Sequence, residues 1–227
     1  MHSSALLLVL AVLAHVGSAS LFGSSKKQAA DDQGPSTVEL AAGWEYVTSG
    51  STIKLSNPKT NTRLTLPQVS YGTGSQQQAI TAYTDASSTK ALWTVEQAEP
   101  GHRGQPIACQ SQVRLVNSDT QHSLHSHANH KAPISGAQEV SGFDGRDSGD
   151  LWTVECAKGM EWWGREQPVY LRHVETSGYL QALASKRYRQ PISGHLEVSC
   201  SAKRSDAAQW VAAEGYYFAS VLNENKK

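Results

Sequence analysis

The sequence predicts an all-β chain folded as a β-trefoil, three like units closed about a pseudo-threefold axis. The first observation behind this is an internal repeat. Ile53-Lys54-Leu55 leads to Thr60 and Leu64, Val113-Arg114-Leu115 to Thr120 and Leu124, and Val169-Tyr170-Leu171 to Thr176 and Leu180. Leu to Thr is five residues and Leu to Leu nine in every copy, and Trp93, Trp152 and Trp210 follow 38, 37 and 39 residues after the first Leu. The second observation is that each copy reads as four short strands punctuated by turn residues. The third is that no segment past the leader sustains helical periodicity.

The elements follow in order. The Ile/Val-x-Leu alternation puts two apolar side chains on one face, as a half-buried first strand requires. Ser56-Asn57-Pro58-Lys59-Thr60-Asn61, Asn117-Ser118-Asp119-Thr120-Gln121 and Glu175-Thr176-Ser177-Gly178 are hairpin turns. The second strands carry Leu64, Leu124 and Leu180. Gly/Ser/Pro loops come next, nearly identical in the last two copies as Pro133-Ile134-Ser135-Gly136 and Pro191-Ile192-Ser193-Gly194. The third strands carry Ile80, Val140 and Val198, and the fourth carry the tryptophans. One such unit cannot bury its apolar face alone, so three must share a core, and closure removes the sheet edges that invite aggregation. Three units are too few for a propeller. The expected core is Leu55, Leu64, Ile80 and Trp93; Leu115, Leu124, Val140 and Trp152; Leu171, Leu180, Val198 and Trp210.

The chain divides into a signal peptide over 1–19, a flexible linker over 20–43, the trefoil over 44–220 with repeats at about 46–97, 107–156 and 165–215, and a polar tail over 221–227. Ala5 to Val16 is an apolar run, followed by small residues for cleavage after Ala19. A membrane anchor is the alternative, but the run is shorter than the roughly 20 apolar residues a span needs. No other stretch is apolar enough to cross, so no membrane span is expected after cleavage.

Lys plus Arg number 20 and Asp plus Glu number 20. That balance argues against nucleic acid or an anionic membrane as the main partner, since both need excess positive charge. The local run Lys186-Arg187-Tyr188-Arg189 reads as a solvated loop. Cys109 lies six residues before Leu115 and Cys156 four after Trp152. If the first and last strands of a unit pair, the two face each other, and an oxidising compartment would join them. Closing that loop removes about 4 kcal/mol of unfolded-state entropy. Arg165 and Glu214 fall at matching positions of copy three, where they can form an ion pair. Cys200, on a third strand, is expected to be buried and inert.

Two imidazoles, His125 and His127, alternate onto one strand face, the start of a zinc site in principle. No carboxylate or thiolate follows at ligand spacing, so hydrogen bonding of the turn is the preferred role and no metal is expected. No nucleophile elbow, Cys-His signature or phosphate-cradling loop is present, so no catalytic residue is assigned. Trp162-Trp163, between copies two and three, reads as a plug of the barrel or a repeat seam rather than a contact patch.

Copy two carries a resemblance. Val113-Arg114-Leu115, Ser123-Leu124-His125-Ser126-His127, Pro133-Ile134-Ser135-Gly136-Ala137-Gln138-Glu139-Val140 and Leu151-Trp152-Thr153-Val154 resemble the MIR repeat of protein O-mannosyltransferases and of inositol trisphosphate and ryanodine receptors. Tyr71-Gly72-Thr73-Gly74-Ser75 agrees in copy one. Three such units behind a signal peptide resemble the stromal cell-derived factor 2 family. The resemblance implies an endoplasmic reticulum protein that binds a lumenal J-domain co-chaperone, an Hsp70-type chaperone and client glycoproteins in folding and quality control, with no cofactor. Alternatives are a glycan-binding module and an accessory to protein O-mannosylation. Candidate binding positions are Arg63, Tyr71, Gly72, Thr73, Gly74, Ser75, His125, His127, Ser135, Gly136, Ser193 and Gly194. Copy one departs from the pattern: Arg63-Leu64 is followed by Thr65-Leu66-Pro67 where the family often has His-Ser-His. Asn225-Lys226-Lys227 stands where some members carry a retrieval signal, so retention by a partner or secretion is expected.

Overall fold

A computed structural model describes residues 40–99 and 101–222. The signal peptide, nearly all of the linker and Asn223–Lys227 lie outside the described residues. Copy one supplies β1 (Thr52–Asn57), β2 (Thr62–Thr65), β3 (Gln78–Ala79), β4 (Thr81–Tyr83) and β5 (Trp93–Gln97). Copy two supplies β6 (Gln112–Asn117), β7 (Ser123–Lys131), β8 (Gln138–Phe143) and β9 (Trp152–Glu155). Copy three supplies β10 (Pro168–His173), β11 (Tyr179–Arg187), β12 (Leu196–Ser201) and β13 (Gln209–Tyr216). The third strand of copy one is split at Ile80 into β3 and β4. Each copy is otherwise four strands, with a single 3-10 turn before each tryptophan strand.

First and fourth strands pair antiparallel around a ring, β1–β5–β6–β9–β10–β13 and back to β1. This is a closed barrel. The hairpins β2–β4, β7–β8 and β11–β12 cap one end and pair with one another through β12–β4, β12–β8 and β3–β8. The fold is a β-trefoil.

All twelve residues expected in the core are fully buried. The three indoles do the same thing in each copy. Trp93 Nε1 donates to the Leu64 carbonyl at 3.0 Å, Trp152 Nε1 to Leu124 at 2.8 Å and Trp210 Nε1 to Leu180 at 2.9 Å. A buried indole N–H needs such a partner, and the second strand's Leu carbonyl supplies it.

The open end of the barrel is closed by a second threefold device. Val47 N donates to Trp163 O, Trp163 N to Ile107 O and Ile107 N to Val47 O, each at 2.8–2.9 Å. All three side chains are fully buried. Trp163 is therefore one third of a ring that plugs the barrel, while Trp162 is half-buried.

A third device joins neighbouring copies. Asn57, Asn117 and His173 each follow the first-strand Leu by two residues and each is fully buried. Asn57 Nδ2 donates to Ala207 O and Gln209 O of copy three, and Asn117 Nδ2 to Lys90 O and Leu92 O of copy one. His173 Nε2 lies 3.0 Å from Gly149 O of copy two. The other end of each side chain holds its own turn through Thr60, Thr120 or Thr176. That contact is the physical reason for the recurrent Thr five residues after Leu.

Cys109 and Cys156 form a disulfide with Cα atoms 5.6 Å apart. Cys200 is buried on β12, and burial pushes its thiol up to about 12, too weak an acid to be nucleophilic. The expected Arg165–Glu214 pair is not formed. Arg165 lies over the Tyr217 ring at 3.8 Å from its centroid, and Glu214 pairs instead with Arg63 at 2.5 Å. The aromatic ring beside Arg165 has no counterpart at the disulfide, so the slot is filled differently in the two copies. The basic run Lys186–Arg189 is not a free loop: Lys186 and Arg187 end β11, and Tyr188 N bonds to His195 O at 2.8 Å.

Candidate functional site

The candidate binding positions fall in three separate places. Arg63 lies on β2 of the β2–β4 hairpin, paired with Glu214 and with Ser56 Oγ at 2.9 Å. The other two places are a polar cluster in copy two and the three Gly/Ser loops around the capped end.

The copy-two cluster is built by β7 and by the 3-10 turn Ser148–Asp150. His125, buried, faces Asp150, also fully buried, with Nδ1 2.9 Å from Oδ1. Asp150 Oδ2 accepts from Asp147 N and Asp147 Oδ1 from Gly149 N, a capping box that locks the turn. A Cβ on Gly149 would sit 2.6 Å from His125 Cε1, so only glycine lets the ring approach. His127 is half-buried between Asp147 and Glu175, with Nε2 3.5 Å from Asp147 Oδ2 and Nδ1 3.2 Å from Glu175 Oε1. Partial burial pushes the His127 pKa down, but Glu175 and Asp147 together outweigh it and hold it above the ordinary value. Glu175 is held low chiefly by its hydrogen bond from His127. Burial pushes His173 below its ordinary value.

His125, His127 and Asp147 present ligand atoms within 4.8 Å of one another, close enough to surround an ion. Each imidazole already has carboxylate partners, so the geometry is that of a turn fastened by hydrogen bonds. The carboxylates that sequence spacing did not place here are Asp147 and Asp150, which arrive across the hairpin. Their signal was positional: Asp150 lies two residues before Trp152, where Trp93 and Trp210 have Ala91 and Ala208.

The loops show a second regularity. In copy one Ser75 N donates to Glu139 Oε1 at 3.3 Å. In copy two Ile134 N and Ser135 N donate to Glu197 at 2.7 and 3.1 Å. Each carboxylate comes from the next copy's third strand, one residue before Val140 or Val198, and each is buried. Gly74, at φ +70°, would press a Cβ onto Glu139 Oε2 at 2.1 Å. Gly72 and Thr73 are exposed, as are Gly136 and Ser193, while Ser135 and Gly194 are half-buried. Tyr71 is buried under the loops and donates to Val140 O at 2.9 Å.

Residues 45–150 match the MIR domain. The stromal cell-derived factor 2-like protein of Dictyostelium discoideum is 38% identical over 181 residues, covering 76% of this chain and 84% of that one. Human stromal cell-derived factor 2 is 38% identical over 176 residues, covering 75% and 82%. The chain belongs to the stromal cell-derived factor 2 family. The crystal structure of the Arabidopsis thaliana SDF2-like protein superposes with a TM-score of 0.74 at 34% identity, over 78% of this chain and 99% of that one. A Saccharomyces cerevisiae protein O-mannosyltransferase Pmt1-Pmt2 complex bound to the sugar donor superposes with a TM-score of 0.68 at 27% identity, over 77% of this chain and 26% of that one. The MIR match ends at residue 150, yet the third unit of this family member repeats the same Leu, Thr, Leu and Trp contacts. Among the described residues no helix is long and apolar enough to cross a membrane.

Proposed function

We propose that the protein is a non-catalytic binding subunit of endoplasmic reticulum folding and quality control, engaging a lumenal J-domain co-chaperone, an Hsp70-type chaperone and client glycoproteins. Family membership over most of the chain carries this reading. It is supported by the way the chemistry-bearing side chains are spent. His125, Asp150, His173, Glu139 and Glu197 each fasten a turn or loop, and the Cys200 thiol is buried. The disulfide fits an oxidising lumen. The arrangement holds a rigid surface and leaves binding, rather than bond-making, as its use. Cross-linked lumenal extract from cells carrying the tagged protein should return a J-domain protein and an Hsp70. Their absence under mild lysis contradicts the reading.

A second reading is favoured by the superposition on the O-mannosyltransferase complex: the module is an accessory to protein O-mannosylation. A mannosylation reporter in cells lacking the protein separates the two, since unchanged reporter occupancy removes the accessory role and leaves the chaperone role standing.

A further inference from the structure

The three loops at the capped end act as internal controls for one another. Two of them seat their backbone N–H groups on a buried carboxylate, Glu139 or Glu197. The cyclic order places the third loop, Pro191–Gly194 of copy three, against the third strand of copy one. There the residue one position before Ile80 is Ala79. Among the described residues no carboxylate accepts a hydrogen bond from the Ile192 or Ser193 N–H, and Asp85 lines a groove on the loop's other side. The Ile192 and Ser193 N–H groups correspond in sequence to those of Ile134 and Ser135, in a loop that spans Tyr188–His195 where copy two spans Ala132–Ala137. They have no hydrogen-bond partner among the described residues; Ile192 lines a cavity at this position and Ser193 the groove beside it.

In place of a glutamate side chain is a cavity of about 210 Å³, lined by Ala79, Tyr71, Tyr188, Arg189 and Ile192 among others. Two further features match an anion. Arg189 is exposed at this cavity and forms no ion pair among the described residues. The buried Tyr188 hydroxyl has no hydrogen-bond partner by distance among the described residues, with Tyr71 and the Glu197 and Glu139 carboxylates as its neighbours. The cavity shares Val69, Pro191 and Ile192 with a groove of about 520 Å³, where the Tyr83 and His195 rings stack at 4.0 Å beside Lys90.

We propose that this slot binds a carboxylate of a polypeptide ligand, which takes the place that Glu139 and Glu197 fill in the other two copies. The backbone N–H groups of Ile192 and Ser193 donate to it, with Arg189 supplying positive charge, as carboxylates on paired N–H groups and guanidinium require. The groove beside it gives room for the residues flanking the acidic group. The two sources of such a carboxylate, an acidic side chain or a chain terminus, share this chemistry. The site does not depend on which chaperone the protein joins.

The test is a titration of the ¹⁵N-labelled protein, followed by NMR, with N-acetyl-glutamate-N′-methylamide for the side chain and N-acetyl-alanyl-alanine for the terminus. N-acetyl-glutamine-N′-methylamide is the neutral control. The Ile192 and Ser193 amide protons should move downfield and saturate with at least one carboxylate probe, which identifies the source. The glutamine analogue should bind about tenfold more weakly or worse. Ala79→Glu should move the same two amides without any probe and abolish the response. Arg189→Gln, at an exposed position, should fold normally and weaken binding by about three- to tenfold. The proposal is overturned by no saturable shift at these amides with either carboxylate, by equal binding of the glutamine analogue, or by unchanged affinity in Arg189→Gln. None of those results bears on co-purification with chaperones, so the two readings fail separately.

Discussion

Copy two differs from copies one and three at one buried spot beneath its tryptophan strand. The matching positions hold Thr65 and Ala91 in copy one and Gln181 and Ala208 in copy three, whereas copy two holds the hydrogen-bonded His125 and Asp150, and all six residues are buried. The indole two residues on is unaffected, since Trp152 makes the same Leu carbonyl bond as Trp93 and Trp210. The frame therefore belongs to the repeat, and polar chemistry is added locally without disturbing it. An ionisable pair is tolerated at such a spot because it is complete: His125, Asp147 N and Gly149 N all find acceptors within one capped turn.

The comparison breaks most readily at the frame. Trp93→Ala, Trp152→Ala and Trp210→Ala should each cost about 5 kcal/mol, the cavity term joined by the lost indole hydrogen bond. Denaturant unfolding should return nearly equal losses. A Trp152 variant far from the other two would mean that the polar pair has altered the frame. The disulfide is special to copy two, and Cys109→Ala with Cys156→Ala should cost about 4 kcal/mol, read as a fall in midpoint temperature.

Smaller effects isolate the polar pair. Asp150→Ala should cost about 2 kcal/mol, because it leaves the buried His125 ring only the more distant Asp147 carboxylate at 3.5 Å and takes the acceptor from the Asp147 N–H. The double change His125→Thr with Asp150→Ala converts the spot to its copy-one form and should restore most of that loss. Additive losses in the double variant would show that the spot is not equivalent among copies.

The smallest effect is on pH dependence, and here two histidines oppose each other. His127 is raised in the fold, so its contribution is fully present below the ordinary pKa of about 6.5 and is lost as pH rises through the higher folded value. His173 is lowered, so stability is lost as pH falls below about 6.5, where the unfolded chain takes up a proton that the fold resists. Solvent screens the His127 pairs to less than about 1 kcal/mol. NMR titration should find His127 protonating above, and His173 below, the ordinary value.

The repeat was legible because its apolar members are chemically alike: Leu, Leu and Trp recur at fixed spacing, and only such residues fit a shared core. The closing ring was harder to read, since Val47, Ile107 and Trp163 differ in size although each precedes its Leu by eight residues. The inter-copy clamp was hidden for a related reason. Asn57, Asn117 and His173 share a hydrogen-bonding role but not a residue type. The copy-two cluster needed the third dimension, because Asp147 and Asp150 lie more than 19 residues beyond His127. The empty carboxylate slot was visible only as a mismatch, Ala79 against Glu139 and Glu197, whose meaning depends on which loop faces which strand. The Arg165–Glu214 expectation failed because Arg165 lies in the turn before β10, where its guanidinium stacks on Tyr217, while Glu214 on β13 is taken by Arg63.

The central claim is that three modules unfold as one closed unit with equivalent tryptophans. Hydrogen exchange of the six indole N–H groups, followed by NMR in the native state, tests it most directly. The account predicts that the Trp93, Trp152 and Trp210 protons exchange only through global unfolding, with one common free energy, while the exposed Trp44 exchanges fast. Three different opening free energies for those protons would contradict it.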